Sequence, residues 1–516
     1  MPLQRDAHGG DHDVILSIPS AARQRFDPSN TRPVARERRQ AWLRNNSHDI
    51  DVVVVGGGVV GASVFRTLAA EGYRTLLVER GDFGSGASQG SANLIWGGLL
   101  YLARGRFDEV WRWTHERDRL LDDPFSGVRP LDCVYRIDPA RRNPALVHAA
   151  LLGYWALGGC RGPFPRRYEG HLRFREGLLV EHDARRTWSM VDSGTGTFLN
   201  YCTPTKITAC PGGWEIDLRD GLDGMHSQLR CAMVVNAAGT WSGKVDALAG
   251  IDHGWDILAS RGVSLVVTGH RDHALMVEHP TERDILSLVP FPGANASIWG
   301  STETLVSQAE AALLPSDDEI LGLIRLHRQL IGPLPRRGLL GVRCGVRALA
   351  VRRGTVAQRS QDLTRSFRIL TETSGWITIL GGKLTGAQFV ASACAAQVAK
   401  RLGQRKPIAQ IQRATPPMIQ LAGMDLPDPA WCREHEECWT LESWLRRRTP
   451  VAQVIPRGGL GWDNEHLPQL ADISERLLGV AGPASLDAYV AGIDHEEARL
   501  ARLFDLAAEP ISRSSL

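Results

Sequence analysis

One uninterrupted apolar run stands out early in the chain: a polar Asp51 leads into four β-branched residues, Val52 to Val55, with no polar alternation. Such a run predicts a strand covered on both faces, and so a parallel one. Helical periodicity follows at once in Ala62-Ser-Val-Phe-Arg-Thr-Leu-Ala-Ala70, and a second strand is predicted over Arg74–Glu79. The apolar spacing and Glu/Arg surface of Phe107–Asp123 predict another helix. Residues 124–200 carry Pro, Gly and aromatic clusters, among them Gly162-Pro-Phe-Pro-Arg-Arg-Tyr168, and are expected to begin a region that covers a substrate. Cys231–Gly239 is an apolar strand ending in a small-residue turn, and runs at 262–268, 285–290 and 296–302 predict an antiparallel sheet. An acidic helix over 315–330 precedes Gly345-Val-Arg347. Trp376–Thr385 repeats the strand and glycine turn, and an Ala-rich helix then runs to about residue 403. Pro-rich 414–430 is expected to be a linker, with helices over 438–449 and 464–508.

Between the first strand and its helix, Gly56, Gly58 and Gly61 fall at the spacing G-x-G-x-x-G. The first permits the tight turn, the second lets backbone approach a pyrophosphate, and the third lets the helix pack on the strand. The helix N-terminus offers N–H groups and a positive dipole end to the phosphates. Glu79 ends the second strand about 20 residues on, where a carboxylate would accept from a ribose hydroxyl. The small, polar stretch Gly84–Asn93, with Ser88 inside it, suits a second crossing of the pyrophosphate. The pattern specifies a dinucleotide and leaves NAD and FAD open.

Composition narrows the classes. A length of 516 residues predicts two or three domains, and 43% hydrophobic with 23% charged residues is ordinary for a soluble globular chain. A net charge of +3 gives no case for nucleic acid. No apolar run reaches the roughly 18–20 residues that span a bilayer, and Met1–Gly10 lacks the apolar core of a secretion signal. Nine cysteines without a C-x-x-C pair predict reduced thiols and a cytoplasmic protein, with no metal expected from Cys432, His435 and Cys438. Lysines stand only at Lys206, Lys244, Lys383, Lys400 and Lys406 in an Arg-rich background. The polar, Arg-rich residues 1–48 are expected to be a solvated tail that closes over the domain with one short helix; contact with a membrane or partner is the alternative.

The glycine fingerprint, Leu94–Leu102 with its Gly97-Gly98-Leu-Leu-Tyr101, and Val234-Val-Asn-Ala-Ala-Gly-Thr-Trp241 together resemble the FAD-dependent glycerol-3-phosphate dehydrogenases and oxidases. The resemblance continues in order through Pro290–Thr302, Gly345–Leu349, Leu363–Arg365, Gly381–Thr385 and the tail Thr440–Thr449. It implies an α/β fold with a Rossmann-like FAD-binding domain (49–130, 200–255 and 340–405), an antiparallel-sheet substrate domain (131–199 and 256–339) and a helical C-terminal domain (415–516). It also favours FAD as cofactor, with Gly56, Gly58, Gly61, Glu79, Ser88, Ala238, Gly239, Gly382, Leu384 and Thr385 around it. Arg347, Lys383 and Tyr101 match catalytic positions beside the flavin, and Arg365, Trp96 and Leu100 fall in the substrate pocket. An Arg fork and a Lys ammonium suit an anionic substrate and negative charge developing on a reduced flavin.

The family's motif reads Lys-Leu-Ile-His-Gly-Gly-Leu-Arg-Tyr-Leu, whereas Asn93, Trp96 and Leu100 stand here at the Lys, His and Arg positions. Losing one buried charged contact typically costs about 2–5 kcal/mol, and the missing His removes a candidate proton acceptor. The resemblance implies oxidation of a secondary alcohol, sn-glycerol 3-phosphate by default, with hydride passing to flavin N5 and electrons onward to quinone or oxygen. A different, unphosphorylated alcohol or an amine remains open, as does a flavin-binding redox sensor without turnover. An oligomer and a peripheral contact at the inner face of the membrane also stay open.

Overall fold

The computed structural model describes residues 33–45, 49–124, 126–168, 171–180, 196–281, 284–307, 314–357, 359, 363, 366–408 and 416–508. At its centre the strand Asp49–Val55 lies between two parallel neighbours, Thr75–Val78 and His226–Asn236, with Val54 opposite Leu77 on one side and Val235 on the other. Trp376–Leu380 extends the sheet in parallel beyond His226–Asn236, and Thr197–Leu199 extends it beyond Thr75–Val78. Both faces are covered, which is why the valine run shows no alternation. Val52 and Val54 pack with Phe65, Leu68, Val390 and Cys394 beneath the helices Val59–Ala70 and Ala387–Leu402. Val53 and Val55 pack on the other face against Trp214, Ile216 and Leu218 of the antiparallel strands Cys202–Cys210 and Gly213–Asp220.

A second, mostly antiparallel sheet is built on two long strands, Trp255–Thr268 and Leu339–Arg352, which place Gly262 opposite Gly345. Ala296–Gly300, Ile285–Pro290 and Ala274–Glu278 continue it, and Val128–Arg136 and His171–Leu179 follow. One face buries Val263, Leu265 and Trp299 under the helix Asp317–Leu330 and the end of the helix Gly482–Leu506. The other face carries Tyr101, Trp113, Tyr154 and Phe174 with the helices Phe107–Asp122 and Pro144–Leu157. The expected class, a Rossmann-like sheet with an antiparallel partner and a helical C-terminal region, is the class observed.

Three local expectations need correcting. Residues 418–427 form a hairpin, Met418–Leu421 against Met424–Pro427, where a linker was expected. Its turn residues Ala422 and Gly423 both have positive φ, +50° and +76°, the form that matches strand twist in a two-residue hairpin loop, and Leu421 is fully buried. The Arg-rich helix Pro33–Arg44 does close over the first sheet, but it is not wholly solvated. Leu43 enters the core, and Arg39 is buried between Asp220 (2.8 Å) and Glu437 (2.9 Å). Finally, the acidic helix begins one residue after Ser316, whose hydroxyl and Glu319 form a reciprocal cap.

Candidate cofactor and active site

The glycine turn is shaped by contacts that leave one side open. A side chain on Gly56, at φ +109°, would lie 2.6 Å from the Ala237 carbonyl oxygen, and one on Gly61 would overlap the Gly56 carbonyl. Gly58 differs. Its φ of −75° is ordinary, and a Cβ there would meet only the Ser88 hydroxyl, at 3.3 Å, with open space beyond. Gly239 likewise faces no atom within 4 Å. The gap at Gly58 borders the first turn of Val59–Ala70, whose leading N–H groups lack helical partners.

Glu79 stands at this turn, its carboxylate oxygens accepting from Gly57 N (2.7 Å) and Gly81 N (2.9 Å). Burial raises its carboxyl above the ordinary value, against the opposing effect of those N–H groups. Ser88 Oγ accepts from Val59 N at 2.9 Å, which carries the 81–91 segment across the helix N-terminus. Gly90 packs against Gly345, and Arg343 donates to the carbonyls of Gln89 (3.1 Å) and Ser91 (2.5 Å), so the same segment is fastened to the second sheet.

The second glycine turn meets the first. Gly382, at φ +100°, would place a Cβ 3.0 Å from Val60 Cγ2. Lys383 follows, and its Nζ lies 4.3 Å from the Trp113 ring centre and 5.1 Å from that of Tyr101. Leu384 packs with Ile95, and Thr385 Oγ1 donates to the Trp96 carbonyl at 3.3 Å. Tyr101, Lys383, Thr385 and Trp96 therefore converge. Arg347 sits on the adjoining strand, since a Cβ on Gly381 would lie 3.5 Å from the carbonyl of Ala348, its neighbour. The Arg347 guanidinium lies flat across Gly262 and donates to Ser301 Oγ at 2.8 Å. Leu100 is half-buried in the short helix Leu99–Leu102, and Trp96 is half-buried edge-on to Phe174. Arg365 lies outside the described residues.

Sequence reasoning overlooked the support beneath this turn. Glu176, fully buried, accepts from Gly97 N (3.0 Å), Arg117 Nη1 (3.2 Å) and the Tyr154 hydroxyl. Burial raises its carboxyl, with Arg117 opposing. The signal existed: Glu176 shares the strand phase of Leu172 and Phe174, so period-2 reading places an acid indoors. Asn93 is the first of the departures from the family's motif. It is fully buried at φ +57°, and neither atom of its carboxamide finds a partner among the described residues. The Trp113 Nε1 donor is in the same condition. The Cys432–Cys438 stretch has no such openings: both thiols are buried, and the His435 ring stacks on Trp431 at 4.6 Å.

A parallel sheet with a glycine turn open at Gly58, joined to an antiparallel sheet whose strand Leu339–Arg352 packs against the second glycine turn at Ala348, defines a dinucleotide-dependent oxidoreductase. The open side of Gly58 and the buried, unsatisfied groups of Asn93 and Trp113 fit an extended, hydrogen-bonding cofactor. The chain belongs to the FAD-dependent oxidoreductase family, whose model matches residues 51–388. That match decides for FAD over NAD. A protein of Mycobacterium bovis named glycerol-3-phosphate dehydrogenase 2 is 29% identical over 388 residues, covering 69% of this chain and 64% of that one. The mitochondrial glycerol-3-phosphate dehydrogenase of Rattus norvegicus is 26% identical over 430 residues, covering 74% of this chain and 57% of that one. The chain thus matches less than two-thirds of either relative's length. In fold it is similar to the FAD-complexed glycerol-3-phosphate dehydrogenase from Bacillus halodurans (TM-score 0.56, 19% identity, 92% of this chain and 85% of that one). It is also similar to the L-alpha-glycerophosphate oxidase from Mycoplasma pneumoniae, with FAD bound (TM-score 0.52, 14% identity, 71% and 97%).

Proposed function

We propose that the protein oxidises a secondary alcohol bearing an anionic group, with sn-glycerol 3-phosphate to dihydroxyacetone phosphate as the leading reaction. The observation that carries this reading is the Lys383 ammonium, held over Tyr101 and Trp113 where the second glycine turn touches the cofactor helix. Bound FAD would supply the two-electron acceptor for hydride leaving the carbinol carbon. The chain's own residues do the rest. The small-residue edges at Gly58, Ala238 and Gly239 admit the cofactor backbone, with Glu79 positioned for a ribose. Lys383 and Arg347 set a positive field at the reacting end, which favours an anionic substrate and opposes the build-up of uncompensated negative charge. The Glu176–Arg117–Tyr154 cluster fixes Gly97 and with it the course of Trp96.

A second reading is favoured by Trp96 and Leu100. These apolar groups stand where the family carries His and Arg, so a less charged alcohol or an amine would suit the pocket better than a phosphate dianion. Electrons would leave to quinone or to oxygen. No described helix is long and apolar enough to cross a membrane. A quinone acceptor would therefore call for peripheral contact, and the exposed Phe107, Trp111, Leu146 and Phe164 support one.

An anaerobic absorbance titration of the yellow protein tests both readings. Bleaching by glycerol 3-phosphate, much weakened in Lys383→Met, supports the first. Bleaching by unphosphorylated alcohols or amines alone supports the second. A flavin that none of them reduces would refute both and leave a redox sensor.

A further inference from the structure

We infer that Arg447 and Arg448, in the helical C-terminal region, hold the 81–91 segment in its cofactor-binding shape. Retention of FAD then depends on side chains well beyond residue 388, where the family match ends. Both arginines converge on Asp82, at the start of that segment. Arg448 donates to its two carboxylate oxygens at 2.7 and 3.0 Å, and Arg447 Nε donates to one of them at 2.9 Å. Asn200 Nδ2 adds a bond of 2.9 Å. Arg447 then reaches further along the segment, to Gln89 Oε1 at 3.1 Å. Gln89 in turn donates to the Ser85 carbonyl at 2.7 Å, and its neighbour Ser88 receives Val59 N at the cofactor helix.

Asp82, Gln89, Arg447 and Arg448 are all at least nine-tenths buried. An acid in that position is tolerated only while its countercharges are in place. If they are withdrawn, Asp82 gains by turning to water, and Ser85–Ser88 must move with it. Arg447 and Arg448 are positioning residues: they act on the cofactor through Asp82 and Gln89. The inference rests on reading Ser88 as part of the cofactor cradle.

The test is FAD affinity of the full chain, followed by the recovery of flavin fluorescence on release, beside thermal unfolding. Arg447→Met and Gln89→Leu are expected to raise the FAD dissociation constant at least tenfold. The control is Arg433→Met. Arg433 is equally buried in the same region and donates to the Leu477 carbonyl at 2.5 Å, so its loss is expected to lower the melting temperature and to leave FAD affinity within twofold. If Arg447→Met does not fold, Gln89→Leu decides, because it breaks the same link without stranding a carboxylate. Unchanged affinity in the variants that fold would overturn the inference, and so would an equal loss in Arg433→Met. Ser88→Ala separates the two layers of the argument. Unchanged affinity there refutes the cradle reading itself, whereas weakened affinity there with normal Gln89→Leu refutes only the clamp.

Discussion

Replacing Gly58 by alanine should separate folding from cofactor binding. At φ −75° and ψ 178° an alanine is unstrained, and its Cβ would meet only the Ser88 hydroxyl at 3.3 Å. Alanine is a poorer residue than glycine at a helix N-cap by about 1 kcal/mol, while the stiffer unfolded chain returns about 0.4–1 kcal/mol. The apoprotein should therefore melt within a few degrees of the parent. The methyl group, however, occupies the open side of the turn. Displacing an anion from two backbone N–H donors, at about 1.5–3 kcal/mol each, removes about 3–6 kcal/mol of binding, or roughly 10²- to 10⁴-fold in FAD affinity. Gly61→Ala should behave in the opposite way. Its Cβ overlaps the Gly56 carbonyl, so the apoprotein itself should lose stability. Calorimetry of both apoproteins and fluorescence titration with FAD give the comparison. Tight FAD binding by Gly58→Ala, within threefold of the parent, would refute the placement of the cofactor; so would an apoprotein as unstable as Gly61→Ala.

Asp246 accepts from Asn236 Nδ2 (2.9 Å), Trp376 Nε1 (2.8 Å) and Thr378 Oγ1 (2.7 Å); because Trp376 keeps Thr378 Oγ1 and Asn236 keeps the Ser242 carbonyl, Asp246→Ala should strand the Thr378 hydroxyl and cost about 1–3 kcal/mol in denaturant unfolding. Burial alone would raise the Asp82 carboxyl, but Arg448 and Arg447 bring it down to about 2. A carboxyl lowered on folding stabilises the fold fully above its unfolded value near 4, and that stability is lost as pH falls toward 2; acid unfolding profiles of the parent should show this loss, and Asp82→Asn should flatten it. Gly262→Ala would put a Cβ 2.6 Å from both Arg347 terminal nitrogens; the strand should persist by circular dichroism, while kcat/KM for an anionic substrate falls about tenfold, one charged contact's worth. Leu100→Arg should improve the rate with glycerol 3-phosphate if the rest of the cavity matches the family, and steady-state kinetics showing no gain would mean that the cavity has been reshaped.

What could be read from the chain was local. Gly56, Gly58, Gly61 and Glu79 lie within one strand–turn–helix–strand unit, so spacing alone places them together. The Gly382–Thr385 turn was legible for the same reason, and it meets Val60 because both turns end parallel strands of one sheet, two places apart with His226–Asn236 between them. The clamp on Asp82 was not legible, because nothing near Arg447 in sequence names a partner 365 residues away. Arg347 could be picked out as a cation after a glycine, but its rest on Gly262 comes from a cross-strand register that periodicity does not supply. The hairpin at 418–427 was missed because its strands are four residues each, too short for alternation to outweigh the neighbouring prolines.

The separation between Asp82 and its countercharges also bears on biosynthesis. Asp82 leaves the ribosome 366 residues ahead of Arg448, an interval of about 20–70 s at roughly 5–20 residues per second. Through that interval the nascent first sheet can assemble its early strands, but the turn beside Ser88 has no counterions to hold it. If Arg447 and Arg448 hold that turn as inferred, stable flavin loading falls after translation of the C-terminal helices, and a ribosome stalled short of Arg447 would carry a chain that holds flavin weakly.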